Sequence, residues 1–373
     1  MRAFMFAVAL MAATPAYAQI QLDTAAKQAY MIDYDTGAVL FEKNANERMP
    51  TSSMSKVMTM YMVFDALKHG KITLDTGFLV SENAWRMEGS KMFVEVDKQV
   101  KVEDLMRGVI VQSGNDATVV LAEGLSGTES TFAQAMTQKA KQLGMNDSNF
   151  VNASGWPDEN HYSTAHDLAV MARSLIREFP DYYKYYSEKE FTYNKITQAN
   201  RNPLLYKNIG ADGIKTGHTE IAGYGLIGSG VQNGRRVIFV INGLEDNKAR
   251  AQEATKMLEF GLKSFANKKL FSKDQAVSTA KVAFGKAAEV PLVMGQDAVV
   301  THSITGLGKV AAKLEYKSPL IAPVAKGQEI GVLKVQIGGT GAPQTYPVYA
   351  GADVPRTGFF GGLWQKLRNL GGA

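Results

Sequence analysis

The 373-residue chain contains no cysteine. That single absence excludes thiol nucleophiles, thiolate zinc sites, iron–sulfur clusters and disulfide scaffolds together. Long apolar runs are also missing beyond the N-terminus, and a bilayer-spanning helix needs ~20 apolar residues. No G-x-S-x-G elbow, H-E-x-x-H pair or Walker loop occurs, which weakens the usual hydrolase, zinc-protease and phosphate-loop readings. The five histidines, His69, His161, His166, His218 and His302, have no metal-type spacing, and most read as surface or hydrogen-bonded structural groups. No cofactor and no metal is expected. The balance of 41 Lys+Arg against 36 Asp+Glu, a net +5, is too small to argue for nucleic acid.

What is present begins at the two ends. Arg2 precedes an apolar run, and Ala16-Tyr17-Ala18 supplies the small residues of a signal-peptidase site. Residues 1–18 therefore read as a cleaved secretory signal. At the other end Phe359, Phe360, Leu363, Trp364, Leu367 and Leu370 recur at helical spacing, with Gln365, Lys366, Arg368 and Asn369 on the opposite side. Such a helix suits the plane of a membrane surface, and residues 354–373 are expected to be an amphipathic anchor.

Between the ends the texture changes once. Residues 19–265 mix helical patterns (56–67, 103–123, 130–143, 165–177 and 248–265) with strand-like runs at 29–34, 38–41, 221–230 and 235–243. This predicts an α+β layered domain whose sheet joins early and late chain. Residues 266–353 hold short β-rich runs, such as 277–284, 310–316 and 330–337, separated by Gly and Pro, and predict a small all-β domain.

The chemistry-bearing residues fall in the first domain. Ser53-Met54-Ser55-Lys56 opens a predicted helix, so a hydroxyl and an amine three residues apart share one face. A serine attacks a carbonyl only with a base nearby, and a lysine serves once burial or a second cation lowers its pKa. Lys215-Thr216-Gly217 supplies that second cation beside a strand edge. Its Lys and Thr can grip a carboxylate, and Gly217 removes a side chain that would block an approaching substrate. Ser113-Gly114-Asn115 lies in a turn, its hydroxyl suited to relaying protons and its amide to holding a substrate carbonyl. Each motif alone is cheap: Ser278-Thr279-Ala280-Lys281, Ser81-Glu82-Asn83 and Arg356-Thr357-Gly358 repeat or nearly repeat them. The ordered triplet within one domain is far more specific.

With the triplet in place, the sequence resembles a low-molecular-mass penicillin-binding protein of the D-alanyl-D-alanine carboxypeptidase type. The likeness extends to Lys43–Pro50, Gln112–Ala117, Tyr162–Ala165, Asn200–Asn202 and Asp212–Thr219. It implies a penicillin-binding/β-lactamase-like catalytic domain, an antiparallel sheet flanked by helices, followed by the small all-β domain and the C-terminal helix. It implies Ser53 as nucleophile, Lys56 as general base and Ser113 as proton shuttle. Asn115, Lys215, Thr216, Gly217 and Arg201 would bind substrate, and the backbone N–H groups of Ser53 and His218 would form the oxyanion hole. The implied partners are peptidoglycan stem peptides, β-lactams as covalent inhibitors, and a membrane surface reached through the C-terminal helix. The implied location is the periplasm, at the outer face of the inner membrane. Two departures stand out. Met54 and Ser55 replace the more usual Leu and Thr, which should affect packing rather than role, and Pro203 replaces Gly after Asn202.

Two other readings stay open: a DD-endopeptidase cutting cross-links, and a wall-organising protein with a vestigial site. A class A β-lactamase is disfavoured because no E-x-x-L-N loop is present. Charge adds a clue once divided. Residues 266–373 carry 13 Lys+Arg and six Asp+Glu, whereas residues 19–265 are slightly acidic. A basic C-terminal third ending in an amphipathic helix suits anionic head groups. Deleting 355–373 is expected to move the protein from the membrane to the soluble fraction with activity intact, and retention on membranes would contradict the anchor.

Overall fold

The computed structural model describes residues 22–306, 308–337 and 343–358. The predicted signal at 1–18 and nearly all of the predicted anchor helix lie outside the described residues. Two compact units divide between Ser264 and Phe265.

The first unit is built on one antiparallel sheet. Its strands are β1 (Gln28–Asp33), β2 (Val39–Lys43), β3 (Ala211–Thr219), β4 (Gly223–Gln232) and β5 (Arg235–Leu244). The spatial order is β2-β1-β5-β4-β3, so the sheet does join early and late chain, and β3 is left as an edge. Alternation of apolar residues explains why both faces are covered. Tyr30, Ile32, Ile238 and Val240 enter one core, and their neighbours Met31, Val237, Phe239 and Ile241 enter the other. The second face is closed by helix α4 (Asn247–Lys263), through Met257 and Leu258.

The first face carries the helical layer. Its central helix, α1 (Lys56–Lys68), is apolar almost all round and buried along nearly its whole length, as a helix inside a core must be. A 3₁₀ turn, Ser52–Ser55, leads into it. The helical pattern at 103–123 is divided at the turn expected for Ser113–Asn115. It forms Val102–Ile110 and then α2 (Asn115–Ser126), with Ser113 between them at φ +60°. At the break the Gly114 N–H donates to the Gly108 carbonyl at 2.9 Å and the Asn115 N–H to the Ser90 carbonyl at 2.7 Å, while the buried Asp116 carboxylate accepts the N–H groups of Met92, Phe93, Val94 and Ala117. Those bonds anchor the 92–94 loop against the turn. Helix α3 (Ala165–Glu178) starts at Thr164, whose hydroxyl accepts the Asp167 N–H at 3.0 Å.

The second unit is all-β among its described residues. It has a six-stranded sheet and a two-stranded pair, Phe265–Phe271 with Ala298–Ser303, and its core includes Val290, Leu292, Val335 and Val348. The duplicate S-x-x-K falls here on the strand Ala276–Ala283, where residues three apart project to opposite faces. Ser278 and Lys281 therefore share no site. The other duplicates are equally structural: Ser81 caps the short helix Glu82–Arg86, and Thr357 is bonded to the Phe284 carbonyl.

One buried ion pair ties β1 to β5. Arg235 Nε donates to Asp33 Oδ2 at 2.8 Å, and its Nη1 donates to the Gly261 carbonyl at 2.6 Å. Asp33 is fully buried and Arg235 nearly so. Asp33→Ala leaves a buried guanidinium unpaired, which should cost about 3–5 kcal/mol. Urea denaturation should show the midpoint falling accordingly, and an unshifted midpoint would contradict the reading.

Candidate active site

The site forms where the N-terminus of α1, the Ser113 turn and the β3 edge converge. Ser53 is partly exposed on the 3₁₀ turn while Ser52, Met54, Ser55 and Lys56 around it are buried. Lys56 Nζ donates to Ser53 Oγ at 2.8 Å, to Asn115 Oδ1 at 2.7 Å and to the Ser154 carbonyl at 2.7 Å. Complete burial, then the Arg201 charge, pull the amine down to about 7, against a smaller opposing pull from Asp116 and Glu129. Of its three partners, only Ser53 can also give a proton.

Ser113 Oγ is buried and has no hydrogen-bond partner among the described residues. Lys215 is buried on β3, its Nζ donating to the Thr216 carbonyl at 3.0 Å. Burial, then the charges of Lys56, Arg201 and Arg250, push its amine well below the usual lysine range. Thr216 is buried beside it. His218 is exposed, with its ring stacked on Tyr224 at 3.9 Å between centroids, so its side chain turns to its neighbour. Arg201 is exposed and donates to Ser90 Oγ. Pro203 is accommodated at the start of a 3₁₀ turn that Asn202 caps, with Asn202 Oδ1 accepting the Leu204 N–H at 3.1 Å.

Three expectations change in detail. The Asn115 carboxamide is already engaged at both ends: Oδ1 accepts from Lys56 and Nδ2 donates to the Glu88 carbonyl at 2.8 Å. It holds the lysine first and has one Nδ2 proton left for a substrate. A Cβ on Gly217 would meet Met54 Cγ and the Thr51 carbonyl at 3.0 Å each. Gly217 thus lets β3 lie against the turn that carries Ser53, rather than clearing a path for substrate. Ser55 does more than pack, because its hydroxyl bonds His161 Nε2 at 2.7 Å and also Thr51 Oγ1.

Four contributors escaped the sequence reading. His161 is buried and pulled down to about 4, chiefly by burial. It is neutral at physiological pH, and its Nδ1 accepts the Val151 N–H at 3.3 Å. Ser154 offers only its carbonyl, and Gly155 packs against the Ser52 backbone at φ +79°. Arg250, buried on the first turn of α4, donates from Nη1 to the Gly217 carbonyl at 3.3 Å, while its Nε has no partner among the described residues. Burial pulls it down to about 10. No motif marks any of the four. The one available signal was the lone glycine at 155 amid loop residues. Among the described residues no cluster of His, Cys, Asp and Glu could hold a metal.

A serine paired with a buried, depressed lysine beside an unpartnered serine and a cationic strand edge is an arrangement for acyl transfer. Comparison with known proteins agrees. The D-alanyl-D-alanine carboxypeptidase family model matches residues 13–246. The chain belongs to that family. Residues 265–356 match the C-terminal domain of penicillin-binding protein 5. The carboxypeptidase is 40% identical over 343 residues to D-alanyl-D-alanine carboxypeptidase DacA of Haemophilus influenzae, covering 90% of this chain and 87% of that protein. It is 36% identical to DacF of Bacillus subtilis, covering 92% and 91%. The solved penicillin binding protein 5 of Haemophilus influenzae matches with a TM-score of 0.84 at 38% identity, covering 91% of this chain and all of that one. The fold is therefore the penicillin-binding/β-lactamase-like one, followed by an all-β domain.

Gly155 gives this carboxypeptidase a sharp test. A Cβ there would sit 1.8 Å from the Ser52 carbonyl oxygen, so the loop must move and take the Ser154 carbonyl from Lys56. Gly155→Ala should slow covalent penicillin labelling at least tenfold and lower stability by about 1–3 kcal/mol, from forcing a side chain into a positive-φ position. Labelling at the native rate would contradict this account.

Proposed function

We propose that this serine D-Ala-D-Ala carboxypeptidase removes the terminal D-alanine from peptidoglycan pentapeptides through an acyl-enzyme on Ser53. The observation that carries the assignment is the three-partner environment of Lys56. A neutral amine has two N–H groups and one lone pair. Asn115 Oδ1 and the Ser154 carbonyl accept the two protons, leaving the lone pair for the Ser53 hydroxyl.

The sequence of events follows. Lys56 takes the Ser53 proton as Oγ attacks the carbonyl of the penultimate D-alanine. The backbone N–H groups of Ser53 and His218 receive the developing oxyanion. Ser113, free of competing bonds, passes a proton to the leaving D-alanine nitrogen, and water then releases the shortened peptide from Ser53. Lys215, Thr216 and Arg201, with Arg250 beneath the strand, form a cationic wall suited to the substrate's terminal carboxylate. A β-lactam acylates the same serine, in keeping with the penicillin-binding names of the relatives. The leader pattern at 1–18 and the apolar–basic pattern at 359–370 support a periplasmic enzyme held at the outer face of the inner membrane through its C-terminal helix. Among the described residues no helix is long and apolar enough to cross a membrane.

Protein lacking residues 1–18 should release D-alanine from a pentapeptide, and Ser53→Ala should abolish both release and penicillin labelling. Labelling that survives this substitution would overturn the assignment. The acylation rate should rise with pH and reach half its plateau near pH 7, where Lys56 loses its proton, because only the neutral amine accepts from Ser53. A rate independent of pH from 5 to 9 would contradict Lys56 as the base. Digesting cross-linked dimers in parallel with monomers separates carboxypeptidase from endopeptidase activity.

A further inference from the structure

The Ser154 carbonyl is one of the three groups that make Lys56 a base, so whatever fixes that carbonyl acts on the reaction from a distance. Two sets of bonds fix it. Asn152 Oδ1 accepts the N–H groups of Ser154 at 3.2 Å, Gly155 at 2.8 Å and Trp156 at 3.0 Å. A trans peptide is planar with its N–H and C=O opposed, so turning the Gly155 N–H toward Asn152 turns the Ser154 carbonyl toward Lys56. The preceding residue, Ala153, is clamped at both ends. Its carbonyl accepts from Thr59 Oγ1 at 2.6 Å, one turn along α1 from Lys56, and its N–H donates to Glu129 Oε1 at 2.9 Å.

Glu129 is the first residue of the helix Glu129–Gln142, which Thr128 caps by accepting the Thr131 N–H at 3.1 Å. The free N–H groups of a helix N-terminus favour a carboxylate there. Burial raises its pKa, and the Ala153 N–H opposes this by favouring the anion. Lys56 stands among several charges. Arg201 and Lys215 bear on it as cations, His161 is neutral, and Asp116 and Glu129 are the acids. The two acids are not equally committed: among the described residues the Asp116 carboxylate accepts four backbone N–H groups, whereas Glu129 accepts one. Each time Lys56 takes the Ser53 proton it becomes a buried ammonium, a form that an anion within reach steadies.

We propose that Glu129 is a positioning residue of this carboxypeptidase: it holds the Ala153–Ser154 segment so that the Ser154 carbonyl stays on Lys56, and its charge steadies the ammonium formed during acylation. It acts through that segment and not on the substrate. The proposal rests on the acyl-enzyme reading and adds a residue outside the three motifs. The test follows the rate of penicillin acylation from pH 5 to 9 in the full chain, native, Glu129→Gln and Glu129→Ala. Glutamine keeps an oxygen for the Ala153 N–H and removes the charge. Losing an anion near Lys56 disfavours the ammonium, so the midpoint should fall by about half a pH unit with the plateau within about twofold of native. Alanine removes the bond as well, and its plateau should fall about tenfold. An unmoved midpoint in Glu129→Gln would overturn the proposal, and that measurement decides it even if the alanine variant does not fold. A native plateau in a folded Glu129→Ala would also overturn it, and lowered thermal stability alone would leave Glu129 a purely structural role. A native enzyme that shows no acylation would overturn the acyl-enzyme reading and the proposal together.

Discussion

The Lys56 amine is deprived of water and given three oxygen partners, and much of the first unit is arranged to keep it that way. Burying an ammonium is costly, so the group gives up charge unless a carboxylate pairs with it. None does so directly: the nearest acids, Asp116 and Glu129, only temper the downward shift. The largely apolar, buried α1 supplies the burial, α2 supplies Asn115 and the 151–161 loop supplies the Ser154 carbonyl. Three separate segments thus converge on one nitrogen to make it a base near neutral pH.

The neighbouring cations reinforce the same effect. Lys56, Lys215, Arg201 and Arg250 lie close enough for their charges to bear on one another. Such a concentration of positive charge is unfavourable in the empty site and favourable once an anionic peptide terminus arrives, which ties substrate binding to relief of repulsion. Close backbone packing keeps the geometry narrow. Gly155 and Gly217 let a loop and a strand press on the turn that carries Ser53, so the nucleophile is gripped from two sides.

Most of the layered fold was legible from periodicity. Alternation along β1 and β5 and the helical spacing of 130–143 and 165–177 correspond closely to observed elements. The break within 103–123 shows in the sequence only as the Ser113-Gly114-Asn115 turn, because the apolar period continues through Val111. What the fold adds is the Asp116 carboxylate, whose bonds to the Met92, Phe93 and Val94 N–H groups leave no periodic trace.

What the sequence determined by itself was which candidate reactive groups stand together. Ser53 and Lys56 lie three residues apart on one helical turn, and local geometry alone brings them together. The ordered S-x-x-K, S-x-N and K-T-G motifs then distinguished them from their duplicates. Tertiary structure decided everything that acts through a backbone atom or across long separations. The Ser154 carbonyl, the Gly155 contact, neutral His161 and Arg250 under the strand belong to this class. A carbonyl oxygen is the same in every residue, and burial and charge coupling exist only after segments a hundred residues apart have packed. The sequence could therefore single out Ser53 and Lys56 as a candidate pair, while only the fold could show that burial and the Arg201 charge lower the Lys56 amine to about 7.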